Sequence, residues 1–216
     1  ASENTYYDAY ASENYPWVNN QYHIISSLQN GVPLVEYCLL DVLHKGANLR
    51  GFYAVSENSS FENILSPLGN DVLGIIWEGE SCLQITPGNW VGTECDIDPV
   101  NGYWLVLKSH LGNDYHYELC IEDAIPMDLS TEYWLHKGSN LRSLPLAPNE
   151  SILVADAFPD DIEPYIIGII WQGEACSQVT PGNWAGTECT FQGSRGYWII
   201  LDEEIESVYF TFDLDN

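Results

Sequence analysis

In a chain of 216 residues, 32 acidic side chains oppose six Lys and Arg, for a formal charge of −26. That balance excludes nucleic-acid binding, which needs cations to displace condensed counterions, and disfavours anionic membrane surfaces. Hydrophobic residues make up 45%, enough for the core of one large domain or two modest ones, and no run reaches the ~18 apolar residues of a membrane span.

A chain this acidic repels itself, so salt or divalent cations are expected to stabilise it, which suits a saline exterior. Residues 1–20 repeat Ala-Ser-Glu-Asn and are rich in Tyr; they read as an N-terminal arm or the end of a preceding domain. With no starting Met and no basic stretch ahead of an apolar one, the chain is expected to be a mature product or a piece of something longer. QYHIISSL (Gln21–Leu28) then predicts a strand. LHKGANLRGF (Leu43–Phe52) follows, and SSFENILSPLG (Ser59–Gly69) predicts one short helix with Ser60 as N-cap and Pro67 near its end. VLGIIW (Val72–Trp77) is apolar throughout and predicts a strand buried on both faces. GYWLVL (Gly102–Leu107) predicts a further strand, and DYHYELCI (Asp114–Ile121) another.

The same phrases then return. LHKGSNLRSL (Leu135–Leu144) copies the first, IIWQGEACSQVTPGNWAGTEC (Ile169–Cys189) copies Ile75–Cys95, and GYWIIL (Gly196–Leu201) copies Gly102–Leu107. SVYFTFDL (Ser207–Leu214) ends the series. The predicted fold is all-β: two tandem homologous β-sandwich or barrel-like modules with disulfide-stapled hairpins and short extra helices. The modules are assigned to residues 21–110 and 111–206, with 207–216 as a separate C-terminal strand. An apolar strand at a chain end invites edge pairing; it either folds back on its own module or pairs with a neighbouring chain.

Six cysteines, Cys38, Cys82, Cys95, Cys120, Cys176 and Cys189, suggest disulfides and an oxidising compartment. Zinc is the competing reading, but no two are spaced as a C-x₂₋₄-C knuckle. If Gly88-Asn89 forms a two-residue turn, Cys82 lies directly opposite Cys95, at a Cα distance of about 4.5 Å. The same count pairs Cys176 with Cys189. A type II turn centred on Pro87-Gly88 is the alternative, and leaves the cysteines diagonal. Cys38 and Cys120 are not equivalent in the repeat; they pair with each other, stay free, or bond between chains.

No enzyme signature emerges. Glu78, Glu80 and Glu174 flank a strand end beside aromatics, as glycosidase carboxylates would, yet the second copy replaces Glu78 with Gln172. His44 and His136 read as structural hydrogen-bonding residues, and no nucleophile elbow, H-E-x-x-H or P-loop is present. Lys45 and Lys137 near Asn48 and Asn140 supply the residue types of an isopeptide cross-link, but an ordinary balance of local charge explains them better. DIDPVNG places Asp96, Asp98 and Asn101 at calcium-loop spacing, making calcium the one cofactor candidate, although the second copy reads TFQGSRG. Trp104 and Trp198 sit inside apolar strands as expected core residues. Trp90 and Trp184 flank the hairpin turn and are the candidates for stacking on a sugar.

Gly46-Ala47-Asn48-Leu49, Trp90-Val91-Gly92 and Gly102-Tyr103-Trp104, with copies Gly138-Ser139-Asn140-Leu141, Trp184-Ala185-Gly186 and Gly196-Tyr197-Trp198, form an ordered G-x-N-L, W-x-G, G-Y-W pattern. It resembles tandem β-rich repeat modules of large secreted or cell-surface proteins of marine bacteria. The resemblance covers about two-thirds of the chain and implies a module more than an activity; no catalytic residue carries over. The expected role is an extracellular structural or assembly protein, a subunit of a filament, surface layer, adhesin or virion surface. Its partners would be copies of itself or other surface proteins, joined by strand pairing through Gln21–Leu28 or Ser207–Leu214. The alternative is a carbohydrate-binding module taking glycans at Trp90 and Trp184.

Overall fold

The computed structural model describes residues 25–29, 32–39, 43–108 and 119–214; the arm at 1–20 and the ends of two predicted strands, 21–24 and 114–118, lie outside them. The described chain is mostly β-strand with a few short helical turns. Along the first copy run β1 (Ile25–Gln29), β2 (Val32–Leu39), β3 (Gly46–Arg50), β4 (Ala54–Val55), the helical turn α1 (Phe61–Ile64), β5 (Val72–Trp77), β6 (Glu80–Thr86), β7 (Asn89–Gly92) and β8 (Tyr103–Leu107). There follow β9 (Leu119–Pro126), β10 (Tyr133–His136), β11 (Gly138–Ser143), β12 (Ser151–Leu153), α2 (Val154–Ala157), β13 (Ile166–Trp171), β14 (Glu174–Thr180), β15 (Asn183–Gly186), β16 (Thr190–Gln192), β17 (Gly196–Leu201) and β18 (Ser207–Phe210).

Two five-stranded sheets carry the copied phrases in matching order, β3-β8-β5-β6-β7 and β11-β17-β13-β14-β15. Alternation along β8 buries Tyr103, Leu105 and Leu107, and along β17 it buries Tyr197, Ile199 and Leu201. These form the floors of two separate apolar clusters. Beneath the first sheet lie Phe52, Phe61 and Ile64; beneath the second lie Phe158, Phe191 and Phe212. Ser60 caps α1 as expected, its Oγ accepting from Asn63 N at 3.3 Å. Pro67 opens the 3-10 turn that follows.

Two expectations are corrected. β5 is central in its sheet but not buried on both faces: Leu73 and Ile76 are 43% and 45% exposed, because nothing in the described chain covers the outer face of this part of the sheet. The boundary at residue 110 also moves. β9 belongs to the sheet β1-β2-β9-β4, and its Leu119, Ile121 and Ala124 complete the first core. Ser207–Phe210 takes the first of the two courses open to it and folds back on its own module. It pairs antiparallel with β10, Tyr133 opposite Phe210 and His136 opposite Ser207, and Phe210 and Phe212 fill the second core.

Both hairpin disulfides are present, with Cα separations of 5.8 Å for Cys82–Cys95 and 5.6 Å for Cys176–Cys189, but the register differs from the Gly88-Asn89 turn. Thr86 pairs with Asn89, so Pro87-Gly88 forms the turn, with Gly88 at φ 74° as the third residue of a type II turn requires. A bulge at Ile85 then sets Cys82 opposite Gly92 rather than Cys95. The chain reaches Cys95 by leaving the strand and turning through a left-handed Glu94 at φ 50°; Glu188 does the same at φ 48°. Gly92 is obligatory in this arrangement, since a β-carbon there would lie 2.5 Å from the Cys82 sulfur. Cys38 and Cys120 lie opposite each other in the β2–β9 register, and Cys120 is disulfide-bonded. Replacing Cys82 and Cys95 together with Ala frees a loop of about 15 residues in the unfolded chain. The substitution should lower stability by about 3 kcal/mol, read as a fall in the denaturant midpoint.

Candidate functional site

The two LHKG turns are built alike. Gly46 and Gly138 adopt left-handed φ of 88° and 83°, which a side chain resists. The buried amide of Asn48 closes its turn: Nδ2 donates to the carbonyls of His44 (2.8 Å), Gly46 (3.2 Å) and Leu105 (3.3 Å), while Oδ1 accepts from His44 N (2.8 Å). Asn140 does the same with His136, Gly138 and Ile199. Both asparagines are thus engaged in shaping the backbone, and Lys137 extends its ammonium to Glu206 at 2.9 Å.

Each turn presents an imidazole, a backbone N–H and an arginine to the hairpin tip of the other copy. Glu78 stands at the β5–β6 turn, before Gly79 at φ 78°. Its Oε2 accepts from Leu141 N at 3.0 Å and Arg142 Nη1 at 2.7 Å, and its Oε1 meets His136 Nε2. Reciprocally, Gln172 at the β13–β14 turn has Oε1 accepting from Leu49 N at 3.0 Å and Arg50 Nη1 at 3.5 Å, and Nε2 meeting His44 Nε2. Backbone contacts repeat the exchange: Ser143 N donates to Val100 O at 2.9 Å, and Gly51 N to Ser194 O at 3.1 Å. The first glycine of each GYW phrase makes this approach possible. A β-carbon on Gly102 would lie 3.0 Å from Arg142 O and 2.9 Å from a Leu141 methyl; one on Gly196 would lie 2.9 Å from both Arg50 O and a Leu49 methyl. The copies therefore share a pseudo-twofold junction in which each supplies the same surface.

One exchange breaks the symmetry of the two imidazoles. In both, Nδ1 faces a backbone carbonyl, Lys45 O at 2.8 Å or Lys137 O at 2.7 Å, so Nδ1 carries a proton. His44 Nε2 faces the amide nitrogen of Gln172, a donor. His136 Nε2 faces a carboxylate, which only accepts, and the contact is satisfied by the imidazolium. The His136 pKa is raised accordingly, first by the hydrogen bond to the Lys137 carbonyl, with Glu78 adding and partial burial opposing. The Arg142 side chain is 8% exposed and Glu78 24%, so this pair is held largely out of water.

The residues singled out in the sequence fall elsewhere. Glu80 is exposed, and Glu174 Oε2 accepts from Trp171 Nε1 at 2.6 Å. Asp98 folds onto its own loop, Oδ1 accepting from Val100 N at 3.1 Å and Oδ2 from Asn101 Nδ2 at 3.4 Å, while the Tyr103 hydroxyl clamps its backbone. Asp96 pairs through its backbone with Ser60. Among the described residues no group of three or more His, Cys, Asp or Glu is placed to hold a metal ion. Trp90 is half-buried and packs edge-to-face on Phe61, ring centres 5.5 Å apart. Trp184 donates from Nε1 to Glu163 Oε1 at 2.7 Å, and the buried Glu163 also accepts from Gly182 N in the hairpin turn. Trp104 is half-buried too, but against the second core rather than its own, because Leu49 and Trp104 face the other copy across the junction.

The reciprocal Glu78 and Gln172 contacts escape sequence reasoning. Their only trace is an exchange of a carboxylate for its amide, WEG to WQG, inside an otherwise copied phrase. No family model, curated protein or solved structure matches this chain. Among the described residues no helix is long and apolar enough to cross a membrane.

Proposed function

We propose that the chain is an extracellular structural or assembly protein, a building block of a filament, surface layer, adhesin or virion surface. The observation that carries this reading is the reciprocal junction, in which each copy's hairpin tip is seated in the other's LHKG turn. Such a joint makes one stiff body from two stapled sheets, the property a load-bearing repeat needs. The disulfides fit an oxidising compartment, and the W-x-G and G-Y-W phrases fit the resemblance to secreted modules. The acidity fits a saline exterior, where calcium remains the candidate cation.

Assembly by strand pairing would use β1, at the edge of its sheet, rather than Ser207–Phe210, which is already paired with β10. Glycan binding through Trp90 and Trp184 draws less support, since one indole is packed on Phe61 and the other is held by Glu163. Negative-stain electron microscopy in saline, with and without calcium, is expected to show ordered filaments or sheets. Ser26 lies at the β1 bulge, between the paired Ile25 and Ser27, so Ser26→Pro disturbs the β1–β2 pairing least while placing a proline in the edge strand. It should leave dispersed particles. Dispersed wild-type particles in both buffers would overturn the structural reading, and unchanged assembly by Ser26→Pro would overturn pairing through β1.

A further inference from the structure

Each five-stranded sheet turns one face to its core, and the described residues leave most of the other face uncovered. On the first sheet, Leu73, Ile76, Leu83, Ile85 and Val91 are 43–61% exposed. On the second, Ile167, Ile170 and Val179 stand at the matching places, 42–61% exposed. The outward positions of β5 to β8, and of β13, β14, β15 and β17, carry no charged side chain. The acids that open β6 and β14, Glu80 and Glu174, lie opposite Trp77 and Trp171, which pack on the cores. In a molecule of formal charge −26, these faces are where two copies can meet with least repulsion while burying apolar surface.

The two faces differ in bulk. Leu83 and Val91 are neighbours across β6 and β7, and their counterparts Ser177 and Ala185 are neighbours across β14 and β15. One sheet thus raises a ridge where the other has a hollow, and large residues set against small ones let two layers interdigitate. The first face is also already in use within the chain. Leu49, Trp104 and Ile76 form one row across β3, β8 and β5. Leu49 and Trp104 pack on the second copy's core, and Ile76 continues the row into solvent.

We propose that the outer face of the first sheet docks on the outer face of the second sheet in another copy of this chain. Faces without charge suit a partner as acidic as the chain itself, and ridge-on-hollow packing selects unlike faces over like ones. The contact rests on the assembly reading and adds to the pairing at β1. Unlike faces join head to tail, so each chain offers one of each and growth continues unless a ring closes. Four strands about 4.8 Å apart and about 17 Å long make a face of about 300 Å², less than a lasting complex needs by itself. Without β1 the contact should therefore show only at high protein concentration.

The test is sedimentation equilibrium of the full chain in saline over a wide range of concentrations, always with Ser26→Pro so that β1 does not contribute. Leu83→Glu then blocks the first face and Ser177→Glu the second; both are exposed strand positions, so neither should disturb its core. The chain with Ser26→Pro alone should gain mass as concentration rises, and more so at higher salt, which screens the repulsion. Each face variant by itself should keep the mass of one chain at ten times the concentration where that parent associates. An equal mixture of the two should reach the mass of two chains and stop, because it holds one sound face of each kind. Dimers formed by either variant alone, or a mixture that stays monomeric, would overturn the head-to-tail pairing. A monomeric Ser26→Pro parent at every concentration would overturn the face contact and give the face to another partner, while the assembly reading would still stand or fall on the wild-type filaments.

Discussion

Replacing Phe212 with Ala is expected to destabilise the chain by about 3–5 kcal/mol, the cost of emptying an aromatic site in a packed core. Phe212 lies past the last strand, yet it is only 4% exposed. Its ring centre is 4.7 Å from that of Tyr133, 4.9 Å from Phe210 and 5.3 Å from Phe158. Asp213 N, donating to Ala157 O at 2.9 Å, ties this tail to α2. Chemical denaturation should show the loss directly, and a change below about 1 kcal/mol, the scale of a surface substitution, would mean that the tail is not part of the core. Removing residues 207–216 takes away Phe210, Phe212 and the partner of β10 together, so it should unfold the second cluster. That truncation therefore reports on folding, and assembly must be probed at β1 instead.

Glu78→Ala is the second large effect. Removing the acid leaves the Arg142 guanidinium, 8% exposed, without a counter-charge beside the partly exposed His136, and breaking a shielded pair in this way costs about 3 kcal/mol or more. Glu78→Gln removes the same charge but keeps the three contacts that Gln172 holds in the other copy, so it should cost less than Glu78→Ala by about 1 kcal/mol, the range of one ordinary hydrogen bond. A near-neutral Glu78→Gln beside a costly Glu78→Ala, measured by denaturation, would rule out the charge argument. The contact also has a pH signature. With the folded His136 pKa raised above the ordinary value of 6.5, the imidazolium's stabilisation is complete below about pH 6.5. It fades as pH rises through the folded value. The stability gap between wild type and His136→Gln should thus be widest in acid and narrow towards alkaline pH.

Much of the β architecture was legible in local chemistry. Alternation in GYWLVL and GYWIIL marked β8 and β17, Ser60 announced its cap, and two cysteines at the same spacing in copied phrases announced both staples. These signals are short-range: period two, an oxygen placed to accept an N–H, and a loop too short to separate its ends. The hairpin register was harder. Gly88 serves as the third residue of a type II turn or the first of a tight hairpin loop equally well, and only the bulge at Ile85 and the left-handed turn at Glu94 distinguish the two.

What local pattern left open was every choice of partner. VLGIIW reads as buried on both faces, yet Leu73 and Ile76 face outward because no second layer among the described residues covers them, and apolar runs do not record whether a layer exists. Trp104 looks like core, but it is half-buried and packs against the other copy's core. Glu78 looks like a rim acid, and becomes the centre of a joint only when a turn some sixty residues away brings Leu141, Arg142 and His136 to it. The chain's phrases decide which strands, turns and staples can form, since those depend on neighbours a few residues apart. Which faces meet, which tail fills which core and which carboxylate finds an arginine depend on contacts far apart along the chain, and these exist only once the sheets have packed.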